Sequence, residues 1–268
     1  MTVVQHSFEA RRLALGYDGQ LIIDGLDVII PAGKVTVIVG ANASGKSTLL
    51  RGLARLLKPT AGVVELDGRD IHSVPTKKLA ALVGLLPQQP TAPDGISVTD
   101  LVGRGRFPHQ GVFRQWSAAD DAIVEAALDA TSTTELADRR LEDLSGGQRQ
   151  RVWIAMALAQ EPDILLLDEP TTFLDVSHQV EVLDVLHDLN RTNGTTVVMV
   201  LHDLNLAGRY ADNLVVMAGG AIITQGPPAE VITVDTVERA FGMHCLVIED
   251  PVCGSPMVVP FGRFHRPE

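Results

Sequence analysis

The stretch that decides the fold is Gly40–Ser47, which reads GANASGKS and directly follows the apolar run Val35–Val39. The run has the length and the β-branched content of a short buried strand. A helical pattern follows the loop as far as Lys58-Pro59, with one leucine face made of Leu49, Leu50, Leu53, Leu56 and Leu57. A strand, a glycine-rich loop and a helix in this order match the G-x-x-x-x-G-K-[ST] pattern of a phosphate-binding loop.

Such a loop binds a polyphosphate mainly through its backbone. Glycines let the chain curl so that consecutive N–H groups point at the anion, and the helix N-terminus adds partial positive charge. We expect Lys46 to reach the β- and γ-phosphates of a nucleotide and Ser47 to ligate Mg²⁺. The residues predicted to bind the nucleotide here are Gly40, Ala41, Asn42, Ala43, Ser44, Gly45, Lys46, Ser47 and Thr48.

A pair of carboxylates follows a second apolar run. Ile164–Leu167 has the pattern of a buried strand, and Asp168 and Glu169 come directly after it. The carboxyl ends of parallel strands line the ligand crevice in α/β proteins, so Asp168 is placed to hold a metal and Glu169 to polarise a water. An isolated Asp-Glu pair is more often a solvated loop or a helix cap, but its combination with the phosphate loop favours the catalytic interpretation.

Composition excludes several classes of protein. The 268 residues include 22 Lys and Arg against 33 Asp and Glu, a net charge of −11, which disfavours binding to nucleic acid or to anionic lipid. Two cysteines are too few for a disulfide framework or a structural zinc site. No apolar run approaches the roughly 18 residues of a spanning helix, and residues 1–10 do not resemble a signal peptide. We therefore expect a soluble protein made in the cytoplasm.

Alternating strand and helix patterns predict an α/β fold with a largely parallel sheet. The middle of the chain, about residues 90–160, has a helical texture instead. The predicted elements are strands at 8–17 and 21–23 around an Asp18-Gly19 turn, a Ser117-capped helix to Ala130, helices at 146–160 and 175–193, a strand at 195–201, a hairpin at 213–225, a helix at 233–241 and a hairpin at 245–260.

The segment Leu144–Gln148 reads LSGGQ. A serine and two glycines at a helix start expose N–H groups and a hydroxyl, which together form an anion site. Here the sequence resembles the ATP-binding-cassette (ABC) ATPases, whose signature is LSGGQ. The resemblance implies a head-to-tail homodimer in which the signature of one subunit contacts the ATP bound to the other. The signature residues are Ser145, Gly146, Gly147 and Gln148.

The remaining elements of that family occur in the expected order. Tyr17 matches the aromatic residue that stacks on adenine, although a tyrosine with only a strand role also fits this position. Gln88, in the run LPQ, matches the glutamine that approaches Mg²⁺ and the attacking water. Asp175 matches the aspartate at the dimer seam, and His202 matches the histidine that contacts the γ-phosphate and holds Glu169 and the water in place.

These matches imply a division of labour at the site. The catalytic residues are Lys46, Gln88, Glu169 and His202, and the Mg²⁺ ligands are Ser47, Gln88 and Asp168. The resemblance covers about residues 10 to 260. It implies an α/β phosphate-loop NTPase core with an N-terminal antiparallel β subdomain over residues 1–88 and 161–225. A helical subdomain is inserted at 89–160, and a C-terminal appendix occupies 226–268.

Three further stretches resemble the ATPase subunits of ferric-siderophore importers, close relatives of the haem and cobalamin import ATPases. They are 103–111 (GRGRFPHQG), the region 171–183 and 250–256 (DPVCGSP). The resemblance implies membrane permease partners, an indirect link to a periplasmic or lipoprotein substrate-binding protein, and a place at the cytoplasmic face of the membrane. Arg104 and Arg106 then either contact the permease or are solvated.

Other functions stay open at this stage. The chain fits the ATPase of a haem, cobalamin or metal-ion importer, and a regulatory module that binds nucleotide without turnover. A soluble cassette acting on DNA or ribosomes is disfavoured by the single phosphate loop, the single signature and the acidic charge. Phosphate release by the wild type and by Glu169→Gln separates an ATPase from a regulatory module.

Overall fold

A computed structural model describes residues 5–110 and 116–262. The strands are β1 Phe8–Tyr17, β2 Gln20–Ile30, β3 Val35–Gly40, β4 Ala61–Leu66, β5 Arg69–Asp70, β6 Val83–Leu86, β7 Ile164–Asp168, β8 Thr196–Val200, β9 Asn213–Ala218, β10 Ala221–Gly226, β11 Cys245–Glu249 and β12 Pro256–Pro260. The α-helices are α1 Lys46–Leu53, α2 Thr76–Leu82, α3 Val98–Gly103, α4 Ala118–Ala130, α5 Gly146–Ala159, α6 Val176–Asn193, α7 Leu204–Tyr210, α8 Pro228–Val231 and α9 Val234–Phe241.

The chain divides into two compact units. The helical unit consists of His72–Val197 together with Met1–Gln5, of which the structure describes only Gln5. The β-rich unit consists of His6–Ile71 and Val198–Glu268. The boundary between them falls inside β8. The finer division into core, helical subdomain and appendix stays a prediction.

An antiparallel sheet with the strand order β2-β1-β4-β5 opens the β-rich unit. β1 and β2 are joined by the predicted Asp18-Gly19 turn, in which both residues have positive φ, as a tight hairpin turn requires. The register pairs Tyr17 with Gln20 on either side of the turn. The tight turn therefore fixes the end of β1, where Tyr17 lies.

A second group of strands in the same unit includes the strand before the phosphate loop. β3 is parallel to β9, and β9 is antiparallel to β10 across Gly219-Gly220, as the hairpin pattern predicts. Leu201, just after β8, donates its backbone N–H to the Ile38 carbonyl of β3 at 3.2 Å. The six residues of β3 are all buried, which explains the apolar run in the sequence.

The helix after the loop is shorter than the leucine pattern predicts. α1 ends at Leu53, so the expectation that its apolar face continues to Leu56 and Leu57 is wrong. Arg55 leaves the helical conformation at φ 61°, and its guanidinium donates to the Ile71 carbonyl at 3.1 Å. Leu56 is 63% exposed as a consequence.

In the helical unit, the capping signals of the sequence are confirmed. Ser117 and Asp120 form the predicted capping box at the start of α4, and α4 buries Val124, Ala127 and Leu128. Asp175 caps α6, and Gly194 ends it at φ 66°. β6 is parallel to β7, and Thr196 at the start of β8 donates to the Asp163 carbonyl at 2.9 Å.

The C-terminal elements of the β-rich unit also follow the sequence. Thr233 caps α9, and β11 and β12 form the predicted antiparallel hairpin. Across residues 5–110 and 116–262, no helix combines the length and the apolar character that crossing a membrane requires.

Candidate functional site

The phosphate loop of the β-rich unit wraps around its own lysine. The Lys46 Nζ donates to the carbonyls of Gly40 and Ala41, each at 2.9 Å, and the Ser44 N–H donates to Ala41 at 3.2 Å. Gly45 has φ 100°, a conformation that residues with a side chain rarely adopt, and it directs the chain into α1. The loop is therefore curled as a phosphate cradle requires.

Two features of this cradle fit a bound polyphosphate. Ser44 Oγ is buried, and no hydrogen-bond partner for it lies within the described part of the chain, so an anion would satisfy it. A side chain at Gly40 would place its Cβ only 2.2 Å from the Met217 carbonyl oxygen, so the backbone there admits glycine alone. Lys46 is buried, whereas Ala41, Asn42 and Ala43 are exposed.

The candidate adenine-stacking residue lies at the end of β1, in the same unit. Tyr17 is 40% exposed, and its hydroxyl accepts a hydrogen bond from Arg51 Nη1 of α1 at 3.3 Å. An exposed ring that is held at its hydroxyl end is available for stacking.

The carboxylate pair lies in the helical unit, where β7 ends. Asp168 is the last residue of β7 and is only 2% exposed. Glu169 follows with φ 56°, in the left-handed region that is unfavourable for a residue with a side chain. Such strain is concentrated at functional sites, where the surrounding structure holds it.

The structure brings the predicted glutamine and glutamate together. Gln88 Nε2 donates to Glu169 Oε2 at 2.9 Å, and Thr172 Oγ1 donates to the same oxygen at 3.1 Å. Sequence reasoning named Gln88 and Glu169 but gave Thr172 no role. Its position three residues after Glu169 is the sequence feature that could have indicated this hydrogen bond.

Ser47, Asp168 and Gln88 each carry a side-chain oxygen, the hard donor type that Mg²⁺ prefers. Gln88 donates to Glu169 with its amide nitrogen, so its amide oxygen can still ligate a metal. The residue types therefore fit the predicted metal.

The signature segment begins α5 in the helical unit. Ser145 and Gln148 form a capping box: Gln148 N–H donates to Ser145 Oγ at 3.2 Å, and Ser145 N–H donates to Gln148 Oε1 at 3.1 Å. In this arrangement Ser145 Oγ accepts a hydrogen bond but can still donate its own proton. Ser145 and Gly146 are exposed, so the start of α5 is open to an anion.

The segment after the carboxylates packs against that helix start. A Cβ on Gly147 would lie 3.3 Å from Leu174 Cδ2, and Gln150 Nε2 donates to the Pro170 carbonyl at 3.0 Å. Gln150 is buried and was not singled out from the sequence. The signature and the run around residues 170–174 are thus held together within one unit.

Asp175 closes that run and carries a cluster of hydrogen bonds. Its Oδ1 accepts from the His178 N–H at 3.0 Å, from Ser177 Oγ at 2.9 Å and from His178 Nδ1 at 2.7 Å. These donors lower the pKa of Asp175 to about 2, and the His178 backbone N–H contributes most to this shift. The carboxylate is therefore ionised at physiological pH.

His202 belongs to the β-rich unit and is exposed directly after Leu201. The next residue, Asp203, caps α7 by accepting from the N–H groups of Asn205 and Leu206 at 2.7 and 3.0 Å. The chain is thus fixed on both sides of the histidine.

Arg106 occupies neither of its two predicted environments. Its side chain is buried within the helical unit, where Nε donates to Asp120 Oδ1 at 3.0 Å and Nη1 donates to the Ala159 carbonyl and to Glu161 at 2.7 and 2.8 Å. Arg106 is therefore neither solvated nor available to a permease. Arg104 is exposed, and Gly111, which ends the same stretch, lies outside the described residues.

Comparison with known proteins gives consistent similarities. Residues 23–172 match the sequence profile of the ABC transporter family. The chain is 54% identical over 251 residues to the "Probable siderophore transport system ATP-binding protein YusV" of Bacillus subtilis, covering 94% of this chain and 91% of that protein. It is 49% identical over 263 residues to the ferric enterobactin transport ATP-binding protein FepC of Escherichia coli, covering 98% and 97%. A cobalamin import ATP-binding protein, BtuD of Halobacterium salinarum, is 40% identical, covering 90% and 60%.

Solved structures agree with these sequences. A chain of an ABC transporter in an inward-facing conformation superimposes with a TM-score of 0.81 at 28% identity, covering 97% of this chain and 99% of that one. The dimeric bacterial ABC transporter cassette MJ0796 gives a TM-score of 0.74 at 28% identity, covering 82% and 98%. With the phosphate loop, the carboxylate pair and the LSGGQ segment in place, the chain belongs to the ABC transporter family, among its ATP-binding subunits.

Proposed function

We propose that this chain is the ATP-hydrolysing subunit that energises import of iron(III)-siderophore complexes through a membrane permease. The assignment of the substrate rests on similarity over almost the whole chain to relatives named for siderophore and ferric enterobactin transport, at 54% and 49% identity. The relative named for cobalamin import is more distant, at 40%. An iron chelate is therefore favoured over cobalamin as the cargo.

In this function the phosphate loop and Tyr17 bind ATP. The curled backbone of Gly40–Ser47, the orphaned Ser44 hydroxyl and the Lys46 ammonium support contacts to the phosphates. Ser47, Asp168 and Gln88 would hold Mg²⁺, which when bound neutralises charge on the phosphate oxygens.

For hydrolysis, Glu169 is proposed to orient and polarise the attacking water. A carboxylate in this role must be fixed in direction, and the hydrogen bonds from Gln88 and Thr172 to its Oε2 support that role. His202 is proposed to contact the γ-phosphate.

The active form is proposed to be a homodimer. Ser145–Gln148 of one copy contact the ATP held by the other, and Asp175 lies at the seam. The exposed start of α5 supports a contact in trans, and the dimeric cassette among the similar structures supports the assembly. ATP binding favours the closed dimer, and hydrolysis with phosphate release removes that bias.

The membrane partner is proposed to be a permease at the cytoplasmic face. The helical subdomain at residues 89–160 transmits dimer closure to the permease helices, and the substrate-binding protein acts only through the permease. The iron chelate itself does not touch this chain.

Uptake by cells tests this proposal. Cells lacking the gene are complemented with the wild type or with Lys46→Ala, and uptake of radiolabelled ferric siderophores and of cobalamin is measured. We expect the wild type to restore uptake of a ferric siderophore and Lys46→Ala to restore none. Restored cobalamin uptake instead, or full activity of Lys46→Ala, would contradict the proposal.

A further inference from the structure

The helix that follows His202 is held from two sides within the β-rich unit. α7 contacts β3, the strand that leads into the phosphate loop, and it contacts β12 of the C-terminal hairpin. The catalytic motifs leave this hairpin without a role.

Asn205 joins α7 to the edge of β12. Its Nδ2 donates to the Val258 carbonyl at 3.2 Å, and its Oδ1 accepts from the Val258 N–H at 2.7 Å. The side-chain amide thus hydrogen-bonds with the strand as a neighbouring strand residue does. Paired bonds of this kind fix direction as well as distance.

Arg209 makes a second link, one helical turn further on. Its Nε donates at 2.6 Å to Oδ2 of Asp250, which directly follows β11 and is 1% exposed. The guanidinium, together with the Val252 N–H that donates to Asp250 Oδ1 at 2.9 Å, lowers the pKa of Asp250. The buried carboxylate is therefore ionised and paired.

Gly208 shows how closely the two elements approach. A Cβ there would lie 3.0 Å from the Pro256 carbonyl oxygen and 3.1 Å from Ile232 Cδ1. Asn205, Gly208 and Arg209 have the i, i+3, i+4 spacing of one helix face. This face of α7 therefore packs against the hairpin.

His202 lies between two residues that are held by hydrogen bonds. Leu201 on one side is hydrogen-bonded to β3, and Asp203 on the other caps α7. We propose that the hairpin β11–β12 is a clamp that fixes α7 and through it His202. Asn205, Arg209 and Asp250 are then positioning residues for ATP hydrolysis. This inference rests on the proposed function.

We expect loosening the clamp to affect turnover more than nucleotide binding, because the side-chain bonds of Asn205 and Arg209 end on the hairpin and none of them reaches Gly40–Ser47. A displacement of about 1 Å at a catalytic group costs up to about 100-fold in rate. We expect Asn205→Ala and Arg209→Ala each to lower kcat by about tenfold or more, with KM for ATP within about twofold of the wild type.

The test measures phosphate release by the full-length chain over a range of MgATP concentrations. Leu246→Ala is the matched control, because Leu246 is an exposed residue of the same hairpin and makes none of these bonds. Arg209→Lys keeps the charge and is expected to recover part of the loss. Equal kcat values for Asn205→Ala, Arg209→Ala and Leu246→Ala would overturn the clamp.

A second measurement separates positioning from a structural role. Asn205→Ala is combined with His202→Ala, and kcat of the double variant is compared with that of His202→Ala alone. A clamp that acts through His202 gives no further loss, whereas an independent structural role gives a multiplied loss and overturns the inference. Absence of turnover by the wild type would refute the proposed function itself and is a different result from unchanged turnover in the hairpin variants.

Discussion

The substitution Arg106→Met tests whether Arg106 is a buried residue that stabilises the helical unit. The sequence places this arginine in a stretch typical of siderophore-import ATPases, where a permease contact is one interpretation. The structure gives it three hydrogen-bond partners inside the helical unit and an exposure of 3%. Methionine keeps an apolar stem but removes every donor. The Ala159 carbonyl then loses this hydrogen bond, and the buried Asp120 carboxylate keeps Ser117 but loses its cationic partner.

The expected loss of stability follows from the polar groups that Arg106→Met leaves without this partner. Removing one member of a buried ion pair costs about 3–5 kcal/mol, and part of this is recovered because Met fills most of the space. We expect Arg106→Met to lower the free energy of unfolding by about 3 kcal/mol. With a urea m value of about 2–3 kcal/mol/M, the unfolding midpoint falls by about 1 M or more.

Tryptophan fluorescence during urea unfolding measures the change in stability within the helical unit. The chain has two tryptophans, Trp116 and Trp153, and both belong to the helical unit. Arg104→Met is the matched control: it makes the same substitution two residues away at an exposed site, and we expect a change below about 0.5 kcal/mol. Equal midpoints for the two variants would refute the structural role of Arg106.

Three further predictions concern the site. Thr172→Val removes one of the two donors to Glu169 and is expected to lower kcat several-fold with KM unchanged; an unaltered kcat in a phosphate-release assay counts against this bond. Lys46→Ala loses a charge-assisted contact of about 1.5–3 kcal/mol, so its affinity for a fluorescent ATP analogue should fall by about tenfold or more. The pKa of Asp175 is about 2 in the folded protein, below its value near 4 in the unfolded chain. The ionised carboxylate therefore stabilises the fold above about pH 4, and this stabilisation is lost as the pH falls toward 2. Asp175→Asn keeps the helix cap without titrating, so its stability should vary less with pH over this interval than that of the wild type, and parallel curves would contradict the linkage.

Much of the fold could be predicted because its signals are local. The Ser117 capping box, the Asp175 cap and the Asp18-Gly19 turn each depend on residues within a few positions of one another. The structure places all three where the sequence does. Signals of this range survive tertiary packing because they satisfy the backbone directly.

Features that depend on distant partners were predicted less well. The leucine pattern continues past Leu53, but Arg55 leaves the helical conformation at φ 61°, and its guanidinium donates to the carbonyl of the distant Ile71. The short helices α3 and α7 are stabilised by packing on other elements and have too few residues for a periodic signal. Arg106 is an ion-pair partner of residues 14 and 55 positions away, which spacing cannot indicate.

The site shows the same division. Motif order named Gln88 and Glu169, and the structure joins them by one hydrogen bond. The supporting residues Thr172 and Gln150 were missed because their contacts arise from how the run 170–174 folds back on the signature helix. The motifs therefore identify the reacting groups, and the structure identifies what holds them.

The most direct measurement is the rate of phosphate release from MgATP by the wild type and by Glu169→Gln. The amide cannot act as a base, and loss of a general base costs about 10²–10⁴-fold. We predict steady turnover by the wild type, and in Glu169→Gln a fall of at least about 100-fold with ATP trapped in a stable dimer. Turnover by Glu169→Gln at the wild-type rate would contradict the role of this carboxylate and with it the proposed mechanism.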